Sequence, residues 1–269
     1  MELTNIILRA LLYAGAILAM GSVALKWSLS PRQGEVFDGA LLRQTWLGLL
    51  LVLAGALGLM LNFQLSIAGG DMALALSPEF LALLLQVPVG HANLVRIAGV
   101  IVLAVALSLN RRWLTLFAGG ALVLSFGLEG HSLSLGPRLV TMTLVWLHVL
   151  IVFWWLAVIL PLMVSPRRER DRYGESFGKQ AVLAVPLLIA AGVILFGLFT
   201  GWQIDFSQDY QRRMALKLLA VAATLGLAAA NKLWFTGRPG FIWALGAEAV
   251  LAVSLIGLTA YLTATGPDM

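Results

Sequence analysis

The stretch Leu139–Met163, LVTMTLVWLHVLIVFWWLAVILPLM, decides the fold, because His148 is the only side chain in it that titrates near neutral pH. A helix rises ~1.5 Å per residue, so a run of this length crosses a hydrocarbon core of ~30 Å. The run is continuously apolar and lacks the alternation of a membrane strand, which selects a helix over a barrel. His148 falls about ten residues in, roughly 15 Å deep and near the midplane. An ionisable group at that depth is costly and normally faces the bundle interior, where it binds a ligand, handles a proton or makes a structural hydrogen bond.

Working outward, comparable runs lie at about 5–27, 43–66, 92–110, 112–128, 180–202, 213–235 and 241–264, which with 139–163 makes eight. The expectation is an all-α, polytopic membrane bundle of about eight transmembrane helices, forming a single integral-membrane domain over residues 1–269. Composition agrees: 60% of the 269 residues are hydrophobic, only 12% are charged, and the mean hydropathy is +0.93. The first run, Ile6 to Trp27, lacks a basic segment before it and a small-residue cleavage site after it, so it reads as a retained span. The doublet Arg111-Arg112 has to sit at a membrane surface and splits two spans by a tight turn. Asp71 to Pro88 is apolar but broken by Ser77-Pro78-Glu79 and closed by Pro88-Val89-Gly90, so a short interfacial or re-entrant helix is expected rather than a ninth span. The polar tract Ser165 to Gly178 reads as a loop that anchors topology.

The net charge of +5 does not point to nucleic acid, because the basic residues sit between apolar runs and form no continuous patch. They orient the chain instead. Twelve of the 18, including Arg111, Arg112 and the cluster Arg167, Arg168, Arg170 and Arg172, fall on one side; Arg9, Arg96, Arg138, Arg212, Arg213 and Lys217 fall on the other. The richer side is expected to be cytoplasmic, with both termini outside. Membrane lipid is the surrounding partner. The 27 glycines permit close helix packing, as at Gly55-Ala56-Leu57-Gly58 and Gly119-Gly120.

The chemistry-bearing residues are few. There is no cysteine, hence no disulfide and no thiolate metal site. No P-loop, dinucleotide fingerprint or Ser/His/Asp set is present, which argues against ATP-driven pumping and hydrolysis and leads us to expect no enzyme. The three histidines cluster toward the outer side: His91 and His131 at the outer ends of the third and fourth spans, His148 deeper. His131 follows Glu129-Gly130 and is either a solvated loop residue or an entry ligand for a cation, helped by Glu129. His148 shares a helical face with Thr141, Leu144, Val152 and Trp155. Met60, Met72, Met142 and Met214 fall on or near the outer side; thioethers suit Cu(I) and imidazole suits copper in either oxidation state, although methionine also fills apolar helices. Glu248, about eight residues into the last span, needs a partner or a proton; with Asn231 and Lys232 it forms either a structural tie or a relay on the inner half. Lys217 and Arg213 are expected to reach the headgroups or pair with Asp205 and Asp209.

Gly130-His131-Ser132, then Leu147-His148, then Phe153-Trp154-Trp155-Leu156 resemble the glycine-histidine, leucine-histidine and tryptophan motifs of the CopD copper-resistance family of inner-membrane proteins. Gly90 to Arg96, Tyr210 to Lys217, the Asn231-Lys232 helix end and Glu248 look like that family too, so the similarity covers roughly Pro88 to the end. Gln211 departs from it, standing where the family often has glycine. The resemblance implies a bacterial inner-membrane protein that transports or delivers copper, with the ion taken from the periplasmic side as Cu(I) or Cu(II). His131 and His91 would capture it, His148 would hold it near the midplane, Met142 would line the route and Glu248 would compensate charge. A separate periplasmic CopC-like copper chaperone is an implied partner. Two other readings remain open: a haem b electron-transfer protein held by two histidines, and a non-transporting scaffold or assembly factor whose polar residues lock helices. Oligomeric state is not legible.

Overall fold

Hydropathy and proline together set the element boundaries. The computed structural model describes residues 2–128, 137–235, 238 and 240–265. In chain order these residues form α1 (Glu2–Leu29), α2 (Val36–Ile67), α3 (Met72–Ala75), α4 (Pro78–Leu84), α5 (Pro88–Ser108), α6 (Arg112–Gly127), α7 (Arg138–Val164), α8 (Arg167–Thr200), α9 (Asp209–Trp234) and α10 (Phe241–Ala264). Proline opens α4 and α5 at the first helical turn, where its missing N–H costs nothing. Among the described residues there is no strand.

Among the described residues seven helices, α1, α2, α5, α7, α8, α9 and α10, are long and apolar enough to cross a membrane. The chain is therefore a multi-pass helical membrane bundle. The expected eighth span, α6, is shorter: a 13-residue helix continued by a three-residue 3-10 turn, ~24 Å in all. Between α2 and α5, the segment that sequence reading kept out of the count of spans forms α3 and α4, of four and seven residues, too short to cross. Asp71 caps α3 by accepting from the Ala73 and Leu74 amides, and Ser77 caps α4.

α1 is the hub. It packs on α2, α6, α7 and α10, so the core joins helices from both halves of the chain. Its approach to α2 depends on glycine: a Cβ at Gly15 would lie 2.6 Å from the Val52 amide nitrogen and 2.8 Å from the Gly48 carbonyl oxygen. Midway, Ile17–Gly21 widens into a π turn, and Gly21 there abuts the Phe153 carbonyl of α7. Gly55 and Gly58 likewise sit under Leu12 and Leu8 of α1, as expected, but Gly120 faces open space instead of another helix. Tyr13, eleven residues after the first residue of α1, donates to Thr263 near the end of α10 at 2.9 Å, which sets the last turn of α10 beside the first half of α1. α9 packs principally on α10 and is the most peripheral of the long helices.

The polar tract 165–178 is not a loop. Only Ser165 and Pro166 interrupt the helices, and α8 begins at Arg167. Pro166 stops α7 and starts α8, Glu169 lies in the first turn where the helix dipole favours a carboxylate, and Arg167–Asp171 and Glu175–Lys179 pair one turn apart. The 34 residues of α8 rise ~51 Å, so its first turns project beyond the ~30 Å core.

Candidate functional site

α7 carries His148 about ten residues from its start at Arg138, roughly 15 Å along the axis. The ring packs against α8: a Cβ added at Gly192 would lie 3.3 Å from His148 Cε1 and 3.5 Å from Nδ1, and the Leu188 backbone also faces the imidazole. Glycine at 192 thus makes the room that the ring occupies. His148 is half-buried, and its Nδ1 atom is closed off from solvent without a well-aligned hydrogen bond among the described residues, the Leu188 backbone being the polar group that bears on the ring. A buried polar nitrogen so weakly satisfied is uncommon and leaves room for a ligand. Lys217 of α9 lies within electrostatic reach of the ring.

That position corrects the expectation for Lys217. Asp209 is taken by Arg212 and by Arg213, the latter at 3.8 Å, while Asp205 accepts from the Ser207 amide and hydroxyl. The Ser207 hydrogen bonds hold the Asp205 carboxyl below the usual carboxylate range. Lys217 pairs with neither aspartate and has no carboxylate partner among the described residues. Arg213 stacks over the Tyr261 ring at 4.7 Å. Gln211, the departure noted above, is buried; it accepts from the Asp205 amide at 2.7 Å and donates to the Gln203 carbonyl at 3.2 Å, closing the α8–α9 turn.

The other candidates are dispersed. His91 is exposed in the first turn of α5, and its Nε2 lies 2.7 Å from the Leu85 carbonyl. A carbonyl only accepts, so Nε2 carries the proton and Nδ1 keeps the lone pair. His131 and Glu129 fall outside the described residues. Met142 is buried in α7, six residues before His148 and therefore about 120° around the helix from it. Trp155 is buried in the common core. Among the described residues no three His, Asp or Glu side chains converge as a metal-binding group.

Glu248 and Asn231 do meet. Asn231 donates its side-chain amide to Glu248 Oε1 at 2.5 Å, both residues are buried, and the π turn Asn231–Phe235 ending α9 carries the donor. Lys232 turns the other way and donates to the Gly178 carbonyl of α8 at 3.1 Å.

Sequence reading missed three polar residues that the packing encloses. Arg96, counted among the outer basic residues, is fully buried: it donates to Asn93 Oδ1 at 2.8 Å and Ser125 Oγ at 3.3 Å, and its guanidinium stands 5.0 Å over Phe126. The only sequence signal for it is the spacing Asn93-x-x-Arg96, one helical turn. Arg170, read as part of a topology anchor, caps the end of α7 by donating to the carbonyls of Leu162 (2.9 Å) and Ser165 (2.8 Å). Gln44 donates to the Ala157 carbonyl of α7.

At the same end of the bundle as Arg170, the turn before α2 is tied to α8. Glu35 binds Arg172 at 2.6 Å and accepts from the Tyr173 hydroxyl, the Phe37 amide donates to Glu169 at 2.9 Å, and Phe37 stacks on Tyr173. The hydrogen bonds from Arg172 and then Tyr173 hold the Glu35 carboxyl below its ordinary value.

A family model described as Copper resistance protein D-like, N-terminal domain, matches residues 1–139, just over half the chain. The match covers α1 to α6 and ends where α7 begins, upstream of most of the motifs quoted from the sequence. No curated protein and no solved structure matches the chain.

Proposed function

This chain belongs to the copper resistance protein D-like family, and from that premise we propose that it transports or delivers copper across the bacterial inner membrane, with the ion as cargo. The observation that carries the proposal is His148: a mid-span imidazole whose enclosed Nδ1 makes no well-aligned hydrogen bond among the described residues and faces only the Leu188 backbone, in a cysteine-free chain where soft-metal ligation falls to imidazole and thioether. In this reading the periplasmic side is the end that carries His91 and both chain termini, and the end that carries Arg167 to Arg172 is cytoplasmic, in keeping with its excess of basic residues. His91 offers its Nδ1 lone pair at the outer rim, and His131 would act beside it. Met142 serves an outer segment of the route on a different face of α7, and a periplasmic CopC-like chaperone supplies the ion. Lys217 imposes an electrostatic condition, because an ammonium beside His148 repels a cation. It therefore keeps residence at the imidazole brief, which suits passage better than storage. Glu248 supplies negative charge in the inner half, with its geometry fixed by Asn231.

The scaffold reading draws on the Asn231–Glu248 tie, which locks α9 to α10. The two readings separate in one experiment. Copper accumulation is measured in cells expressing the wild type or His148→Ala, with folded protein matched by quantitative blotting and size exclusion. A loss of copper handling at equal protein is expected. Equal accumulation would remove His148 from the pathway and leave the scaffold role.

A further inference from the structure

We infer that the groove between α1, α6 and α7 seats an acyl chain of an anionic phospholipid whose headgroup is held by Arg111 and Arg112. The groove encloses about 420 Å³, within the ~300–1,000 Å³ usual for ligand clefts, and its walls include Met20 and Val23 of α1, Gly119 and Gly120 of α6, and Trp146 and Leu150 of α7. It exists because α6 presents glycine there: a Cβ at Gly120 would meet nothing within 4 Å. Its α1 and α7 walls lie within membrane-spanning segments and its α6 wall is apolar, so water is not its natural filling.

The rim identifies the occupant by charge. Leu116, the first α6 residue of the groove, follows Arg112 by about one helical turn, ~6 Å. Arg112 stacks over Trp27 at 4.2 Å and donates to Ser30 Oγ at 3.4 Å, and Trp27 packs on Trp113 with ring centroids 4.7 Å apart, an aromatic pair suited to headgroup depth. Neither Arg111 nor Arg112 has a carboxylate partner among the described residues, whereas neighbouring Lys26 is neutralised by Asp38 at 2.9 Å. Two exposed guanidinium groups without counter-charge, one turn from an apolar slot, match a phosphate joined to a hydrocarbon chain. A second copy of this chain or a partner helix would fill the slot but leave those charges unmatched.

The test is native mass spectrometry of protein released from nanodiscs containing equal phosphatidylglycerol and phosphatidylcholine. With roughly 1 kcal/mol per basic residue at an anionic surface and two such residues at the rim, the wild type is expected to retain phosphatidylglycerol about thirtyfold over phosphatidylcholine. Arg111→Gln, at a side chain with no hydrogen bond or ion pair among the described residues, is expected to cut that preference several-fold. Gly120→Leu places a side chain where a Cβ meets nothing within 4 Å and is expected to remove the adduct while thermal stability holds. Equal retention of the two lipids by the wild type, an undiminished adduct on Gly120→Leu, or a doubled chain mass in place of lipid would overturn the assignment.

Discussion

The Gln44 side chain donates to the Ala157 carbonyl at 2.9 Å, and that carbonyl is the one that Pro161, lacking an N–H, leaves without a helical partner four residues on. In a bilayer no water can take the place of that donor. A proline in the last turn of α7 is thus made tolerable by a residue of α2, 113 positions away in the chain. Gln44→Leu keeps the size of the side chain and removes the donor. It is expected to cost about 1–3 kcal/mol, read as a lower unfolding midpoint in detergent; an unchanged midpoint would mean that another group serves the carbonyl.

Arg96 is a second enclosed polar group whose loss should be felt. Arg96→Met takes the donor from Asn93 Oδ1 and from Ser125 Oγ, which keep only their own bonds to the Val89 and Leu122 carbonyls, and removes the charge from over Phe126. A destabilisation of about 3 kcal/mol is expected. Arg96→Lys preserves charge but not the planar fork that reaches two partners, so it should recover only part of that loss. Equal stability of the lysine variant and the wild type would show that charge alone suffices.

Acid should loosen the α2–α8 tie. Glu35 has its carboxyl held below the ordinary value by Arg172 and Tyr173, so its contribution is complete above the ordinary carboxylate range and is lost as pH falls through the lowered value. Unfolding midpoints of the wild type and Glu35→Gln are therefore expected to differ at pH 7 and to converge only once the pH has fallen below the ordinary carboxylate range. A gap that persists unchanged at acid pH would assign the effect to packing of Phe37 on Tyr173 instead.

Gly192 gives a way to close the His148 site without touching the histidine. An added Cβ at 3.3 Å from the ring is tighter than ordinary contact, and valine adds two methyl groups to it. Gly192→Val is expected to reproduce the copper phenotype of His148→Ala, while Gly192→Ala, with less bulk, should fall between it and the wild type. Wild-type copper accumulation in the valine variant, at matched folded protein, would show that the Gly192 side of the ring is not used.

Much of the fold was legible because a bilayer reads sequence locally. The runs at 5–27 and 139–163 needed only their own hydropathy to become α1 and α7, and the breaks at Ser77-Pro78 and Pro88 were enough to keep α3 and α4 short. The tract at 165–178 was misread because polar composition fits a solvated loop and a solvated helix equally well, and the choice lay in the Arg167–Asp171 and Glu175–Lys179 spacing and in the carbonyls that Arg170 caps.

The site was legible as a list and not as an arrangement. His148 stood out by depth alone, and the tie between Glu248 and Asn231 was one of two stated alternatives. Yet hydropathy assigned Arg96 and Lys217 to the same outer rim, and the structure buries one among Asn93, Ser125 and Phe126 and sets the other within electrostatic reach of His148. The sequence by itself determined that this protein is a bundle of membrane helices, because transfer of each run into hydrocarbon depends only on the residues in it. Only the tertiary structure decided which polar groups meet, because lipid-facing and core-facing surfaces are equally apolar and the rotation of each helix is set by small-residue contacts such as Gly15 on Val52 and Gly21 on Phe153.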